Sequence, residues 1–255
     1  MKKKLLSLSV LVAAGLASYG CSQITPPVSQ AAAQESAPAT KNLNPLEQTG
    51  RPAKDKARDA AYKPLELFAF AGITPGMTVA DIGAGGGYVS ELLAYAVGEK
   101  GRVLSQNDTY IYDVVKGLEA EYKERLGRLA NMKDLGQDVA QLTLPARSVD
   151  VFWLSTSFHD IYNNAPGQAL QFVKMMKTAL KPNGVVLVID HFGDKGQDNK
   201  ALHRIEREKV LETFQQAGFK LQAESDLLRH KEDLHQQKVF ALGGKTDRFI
   251  LKFTQ

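Results

Sequence analysis

One cysteine, Cys21, occurs among 255 residues, so no intrachain disulfide can form. No GxxxxGK(S/T) phosphate loop occurs anywhere in the chain, which argues against a P-loop nucleotide site. The formal net charge is +4, yet no run of five or more basic residues is present. Lys2, Lys3 and Lys4 supply three of those charges and residues 1–20 contain no acid, so the rest of the chain carries 4 − 3 = +1. No nucleic-acid footprint is indicated. The apolar stretch from Leu5 to Leu16 is shorter than the roughly twenty residues of a membrane span. No internal repeat is apparent. What remains is ordinary globular composition, 44% hydrophobic and 24% charged, with length for one sizeable domain.

Residues 1–20 have the make-up of a secretion signal: a lysine cluster, a short apolar segment, then Ser18-Tyr19-Gly20. Cys21 follows a small residue and resembles the lipidated cysteine of a bacterial lipobox. Ser22 after it implies export to the outer membrane, with the protein facing the periplasm. The expected membrane contact is therefore an N-terminal lipid. Residues 21–52 form an expected tether, rich in Ala, Gln, Ser and Thr, with prolines at 26, 27, 38, 45 and 52. As a coil of about thirty residues it would reach roughly 30 Å. A single domain is expected over residues 53–255.

The domain is organised around Val79-Ala80-Asp81-Ile82-Gly83-Ala84-Gly85-Gly86-Gly87-Tyr88-Val89. An apolar run passes one carboxylate, turns glycine-rich, and becomes helical from Tyr88 to Val97, with Gly98 as its stop. Glycines there admit positive φ and let backbone approach a ligand with no Cβ in the way. A dinucleotide fingerprint would place its third glycine three residues after Gly85, where this chain has Tyr88. Asp81, two residues before Gly83, would repel a pyrophosphate and favour a ligand carrying positive charge. The stretch resembles motif I of the class I S-adenosylmethionine-dependent methyltransferases. In that family the loop passes under the cofactor's amino-acid part, which implies Asp81, Gly83, Ala84, Gly85 and Gly87 as cofactor-binding residues.

The alternation along the chain supports an α/β fold. A helix is expected over 55–70, interrupted by Pro64, its charges forming a solvated face. A second strand spans 101–107. A single amphipathic helix runs from Ile111 to Leu129, and Met132 to Leu135 makes a poor third strand. Strand 4 covers 148–154, a helix 167–180, a turn 180–184, and a buried strand 185–190. A helix from Asp198 to Ala217, a strand opening at Phe219 and a last strand over 248–253 complete it. The resemblance implies a Rossmann-like seven-stranded, mostly parallel sheet of order 3-2-1-4-5-7-6, strand 7 antiparallel, with helices on both faces. A ribose-binding acid is expected about twenty residues past the loop. Gly87 plus twenty is Asn107, where the family usually has an acid, and Asp108 follows. Asp138 stands where the family's adenine-binding acid would. Arg58-Asp59, the stretch from Leu202 to Glu206 including His203, and Gly244 to Phe249 also resemble a group of uncharacterised bacterial predicted methyltransferases, with no chemical role attached.

His159 and Asp160 follow strand 4, and ligands of open α/β sheets bind beyond the carboxyl ends of strands. They are the candidate catalytic residues: His159 as proton acceptor or pocket wall, Asp160 as an alternative contact for a substrate amine. His191 is a weaker candidate. No metal ligand set is read from the sequence. The expected activity is methyl transfer from S-adenosylmethionine to a small or medium substrate of unknown identity. The alternative is a non-catalytic, methyltransferase-like binding module in the envelope. S-adenosylmethionine is made in the cytosol whereas this chain is addressed outside it, and Asn107 departs from the family pattern.

Overall fold

The computed structural model describes residues 44–255. The expected signal segment, Cys21 and the tether up to residue 43 lie outside the described residues. The last part of the expected tether is folded: Pro45–Glu47 makes a 3-10 turn whose first N–H groups are capped by Asn44. Arg51 is buried and pairs with Asp59 at 2.7 Å. The folded unit therefore starts ahead of residue 53, because Arg51 finds a carboxylate partner and Leu46 an apolar contact.

Seven strands form one sheet in the order β3-β2-β1-β4-β5-β7-β6. They are β1 (Thr78–Ile82), β2 (Arg102–Gln106), β3 (Met132–Asp134), β4 (Val149–Ser155), β5 (Leu180–His191), β6 (Lys220–Ser225) and β7 (Arg248–Thr254). The first five pair in parallel, and β7 runs antiparallel to both β5 and β6. Side chains alternate faces along a strand. On β4, Phe152 and Leu154 enter one apolar layer while Val151 and Trp153 enter the other. β5 alternates likewise, with Val186 and Val188 opposite Leu187 and Ile189. Burial on both faces explains why these strands read as unbroken apolar runs. Among the described residues, no helix is long and apolar enough to cross a membrane.

The helices are α1 (Ala53–Lys56), α2 (Asp59–Tyr62), α3 (Pro64–Ala71), α4 (Tyr88–Val97), α5 (Tyr110–Val114), α6 (Leu118–Arg128), α7 (Phe158–Asn164), α8 (Pro166–Ala179), α9 (Asn199–Leu202) and α10 (Arg207–Gln216). Two helices expected to be continuous are broken at a residue of positive φ, and the segment expected to be interrupted is divided twice. The 55–70 segment is interrupted where expected, Lys63 (φ 46°) ending α2 and Pro64 opening α3, and is divided once more at Ala57 and Arg58, between α1 and α2. Gly117 (φ 84°) separates α5 from α6. His203 (φ 55°) ends α9, and Ile205 then bridges to Phe192 beside the sheet. The expected turn at 180–184 lies within β5. Val149 pairs with Leu180 and Val151 with Val185, so Lys181 to Gly184 are carried as a bulge.

Candidate active site

The glycine loop leaves the carboxyl end of β1. Asp81 is buried and accepts a hydrogen bond from Ser90 Oγ of α4 at 2.5 Å. Burial raises its pKa to about 7, with the Ser90 hydrogen bond pulling the other way. Gly83 has φ 71°, and a Cβ there would stand 2.5 Å from Ser157 Cβ. Ser157 is fixed by donating to the Ile82 carbonyl at 2.8 Å. Gly85 differs: its φ is 59°, but a Cβ would meet no protein atom within 4 Å. The open space in front of it is the cavity.

That cavity has two chambers, of about 390 and 260 Å³. Gly83, Gly85, Leu118 and Thr156 line both, so the chambers meet across the glycine loop. Asp81 and Ala84 line the smaller one, together with Arg58 and Tyr62. Gly87 faces neither; it caps α4 with a left-handed backbone, against Arg125 Cδ. Behind the loop, Arg125 donates Nη1 to the Gly86 carbonyl at 2.6 Å and Nε to Glu91 at 2.9 Å, and its Nη2 pairs with Asp55. All three side chains of this ion trio are buried.

The charged lead-in is only partly a solvated face. Lys54 and Lys56 are exposed, whereas Asp55 is buried. Arg58 lies over the rings of Tyr62 and Tyr88, at 4.7 and 4.3 Å from their centroids. A second guanidinium, the buried Arg248, stands 4.9 Å from the Tyr62 centroid and has no carboxylate partner among the described residues. The smaller chamber thus has Asp81 as an acid and Arg58 as a base in its wall. Arg58 is itself exposed, like Lys54 and Lys56, but unlike them it lines the smaller chamber.

At the end of β2, Asn107 clasps the glycine loop. Its Oδ1 accepts from Gly85 N at 2.7 Å, and its Nδ2 donates to the Gly85 carbonyl at 2.9 Å and to Tyr112 Oη at 3.1 Å. Asp108 accepts through Oδ1 from Gln106 Nε2 and from Val139 N, at 2.7 and 2.6 Å. Its Oδ2 carries no hydrogen bond from the described residues. Asn107 and Asp108 both line the larger chamber. Asp138 does not: it accepts from Thr109 N and Oγ1 at 2.7 and 2.9 Å, and the wall there is Val139 and Ala140.

The far end of the larger chamber carries His159, Asp160 and His191. The sequence shows no helix directly after β4, but α7 begins at Phe158 and sets His159 and Asp160 in its first turn. Asp190, fully buried at the end of β5, accepts from His159 N at 2.8 Å and lies 2.7 Å from His159 Nδ1. Burial opposes a charge on His159, but the Asp190 carboxylate outweighs it, with Asp160 adding, and the imidazole pKa is raised. Asp190 is lowered in turn: burial would raise it, and the charge and hydrogen bond of His159 prevail. His191 is pushed down to about 3 by burial, its Nδ1 without a hydrogen-bond partner. An imidazole held at Nδ1 by a carboxylate presents Nε2 as the reactive nitrogen, the orientation used in proton transfer to and from substrates.

Residues 80–188 match a family model described as a methyltransferase domain. A SAM-dependent methyltransferase from Aquifex aeolicus is 22% identical with a TM-score of 0.57, over 80% of this chain and 98% of that one. A methyltransferase from Mesorhizobium loti, also S-adenosylmethionine-dependent, is 16% identical with a TM-score of 0.53, over 76% and 98%. The cyclase SpnF is 16% identical with a TM-score of 0.58, over 82% and 85%. These solved structures share the fold. No curated protein matches the chain by sequence. The match to the methyltransferase-domain model implies S-adenosylmethionine as the cofactor.

Proposed function

We propose that this chain transfers a methyl group from S-adenosylmethionine to a small or medium acceptor bound beside His159, and that a lipid on Cys21 holds the domain at the cell envelope. The observation that carries the reading is the pair of chambers joined at Gly83 and Gly85, with Asp81 at one end and His159 with Asp160 at the other. The residues present fit the cofactor. Gly85 leaves its backbone open to a ligand where a Cβ would intrude. Asp81 offers a carboxylate to an ammonium and Arg58 a cation to a carboxylate. Asp108 Oδ2 is available to ribose hydroxyls, while Asn107 acts on the loop.

When bound, the cofactor supplies an electrophilic methyl: the acceptor's lone pair bonds to that carbon as the carbon–sulfur bond breaks and sulfur leaves as a neutral thioether. Such a step depends chiefly on alignment of the two reactants. The chain contributes walls that orient the acceptor. It also contributes His159 Nε2, which takes a proton from a hydroxyl or amine while Asp190 steadies the imidazolium.

Isothermal titration of the protein with S-adenosylmethionine and with S-adenosylhomocysteine tests the reading. Saturable one-to-one binding of both is expected. Binding of neither leaves the non-catalytic envelope module as the better account. For the anchor, Cys21→Ser is expected to release the protein from membranes. A wild-type N-terminus that begins downstream of Cys21 and carries no lipid would remove that part of the proposal.

A further inference from the structure

The chain has five histidines, and three of them meet at the acceptor end of the cavity. His159 packs against His191 and His203 with ring centroids 5.9 and 5.7 Å apart. His159 Nε2 lies 3.4 Å and His203 Nδ1 3.3 Å from the same atom, Asp160 Oδ1. Neither approach is aligned as a hydrogen bond, and His203 Nδ1 is a buried atom with no hydrogen-bond partner. The three potential ligand atoms all lie within 4.8 Å of one another.

We propose that His159, Asp160 and His203 form a binding site for a divalent first-row transition ion of the zinc type. Ligand distances near 2.1 Å around a tetrahedral ion separate neighbouring ligand atoms by roughly 3.4 Å. The two separations from Asp160 Oδ1 agree with that figure. Two imidazoles and one carboxylate are a donor set that suits zinc and its neighbours rather than magnesium or calcium. Three protein ligands also leave one position open, the pattern of catalytic rather than structural sites. The outer shell is built: Asp190 holds His159 Nδ1 at 2.7 Å, the carboxylate–imidazole arrangement that fixes the ligating nitrogen. His203 ends α9 with a left-handed backbone, and its ring, partly exposed, keeps Nδ1 buried.

The site deepens the methyl-transfer reading and rests on it only for its purpose. His159 and Asp160 line the larger chamber, so the open position faces the acceptor. An acceptor oxygen bound there would lose its proton to water more readily, the O–H bond breaking and the oxygen keeping the electron pair. The walls nearby are apolar: Tyr110, Ile111, Val115 and Phe240. The acceptor class that fits both is a molecule with an apolar body and an ionisable hydroxyl. With the metal in place His159 is a ligand, and the metal takes over activation of the acceptor.

The test is titration of the tag-free full chain, stripped of metal by chelation, with Co²⁺ as a visible-absorption probe and Zn²⁺ as competitor. One equivalent of Co²⁺ should bind with d–d bands of a four- or five-coordinate ion, and Zn²⁺ should displace it. Asp160→Asn and His203→Gln should each weaken Co²⁺ binding at least tenfold with circular dichroism unchanged. His235→Gln, on a separate loop, should not. Failure of Co²⁺ to bind wild type, or equal affinity in Asp160→Asn and His203→Gln, overturns the site. S-adenosylmethionine titration of the same samples separates the two ideas. Cofactor binding without metal binding defeats only the metal site; metal binding without cofactor binding defeats only the methyl-transfer reading.

Discussion

Asp190 grips one residue twice: its Oδ1 lies 2.7 Å from His159 Nδ1 and its Oδ2 accepts from His159 N at 2.8 Å. One carboxylate thereby fixes both the first turn of α7 and the orientation of the imidazole. The pairing crosses from β5 to the segment after β4, which are neighbours in the sheet. Asp190→Ala is expected to reduce stability by roughly 3–5 kcal/mol, as for breaking a buried pair. Asp190→Asn should recover part of that loss but leave His159 as a mixture of tautomers. Urea denaturation and imidazole ¹⁵N NMR measure the two effects; a single fixed tautomer in Asp190→Asn would contradict the assignment.

Asp81 makes cofactor binding depend on pH. Its folded pKa of about 7 stands above the ordinary 3.8 because burial penalises the charge, partly offset by Ser90. Between those values the folded state retains a proton that the unfolded state has released. This group's contribution to stability therefore declines as pH rises from about 4 to about 7. A cation beside Asp81 favours the ionised form, so binding S-adenosylmethionine near neutrality should expel a proton, and affinity should fall as pH drops below 7. Titration in buffers of different ionisation enthalpy reads the proton directly. Asp81→Asn should show no release, and absence of release in wild type would remove Asp81 from the cofactor contact.

Asn107→Asp separates two roles. If residue 107 bound ribose, an acid there would tighten cofactor binding. The structure instead uses Nδ2 as a donor to the Gly85 carbonyl, which a carboxylate would repel. Loss of that bond, at roughly 1–3 kcal/mol for an unsatisfied buried group, should weaken the cofactor about tenfold. Tighter binding in a calorimetric comparison would restore residue 107 to the ribose.

Gly83→Ala and Gly85→Ala should fail differently. Both residues have positive φ, a strain of order 1–3 kcal/mol for alanine. At Gly83 the new Cβ also meets Ser157 Cβ at 2.5 Å, so stability should suffer most. At Gly85 it meets no protein atom within 4 Å and projects into the cavity, so affinity for S-adenosylmethionine should suffer most. Thermal melts and calorimetry on the two variants check the contrast; the same ratio of losses in both would refute it.

The sheet was legible because its central strands carry apolar side chains on both faces. The loop was legible because its glycines occur where backbone must turn and stay bare. The helix breaks were less visible. His203 sits inside an apolar periodicity that continues past it, so nothing in the spacing shows its left-handed backbone. Asp190 ends an apolar strand, and its partner is 31 residues away in sequence. The His159–Asp160–His203 group is assembled by tertiary contact and has no local spacing to betray it. Asp138 fell at the expected place in the chain, but Thr109 binds its carboxylate outside the cavity lining.

The lead-in to the domain closes the smaller chamber as a strap over the sheet. Arg51 pairs with Asp59, Asp59 accepts from Tyr88 Oη at 2.8 Å, and Asp55 meets Arg125 behind the loop. None of these links belongs to the sheet's own ladder. Severing the strap near Arg51 would leave every strand paired while unfastening the wall that carries Arg58. Limited proteolysis could thus produce a folded domain that has lost its grip on one end of the cofactor.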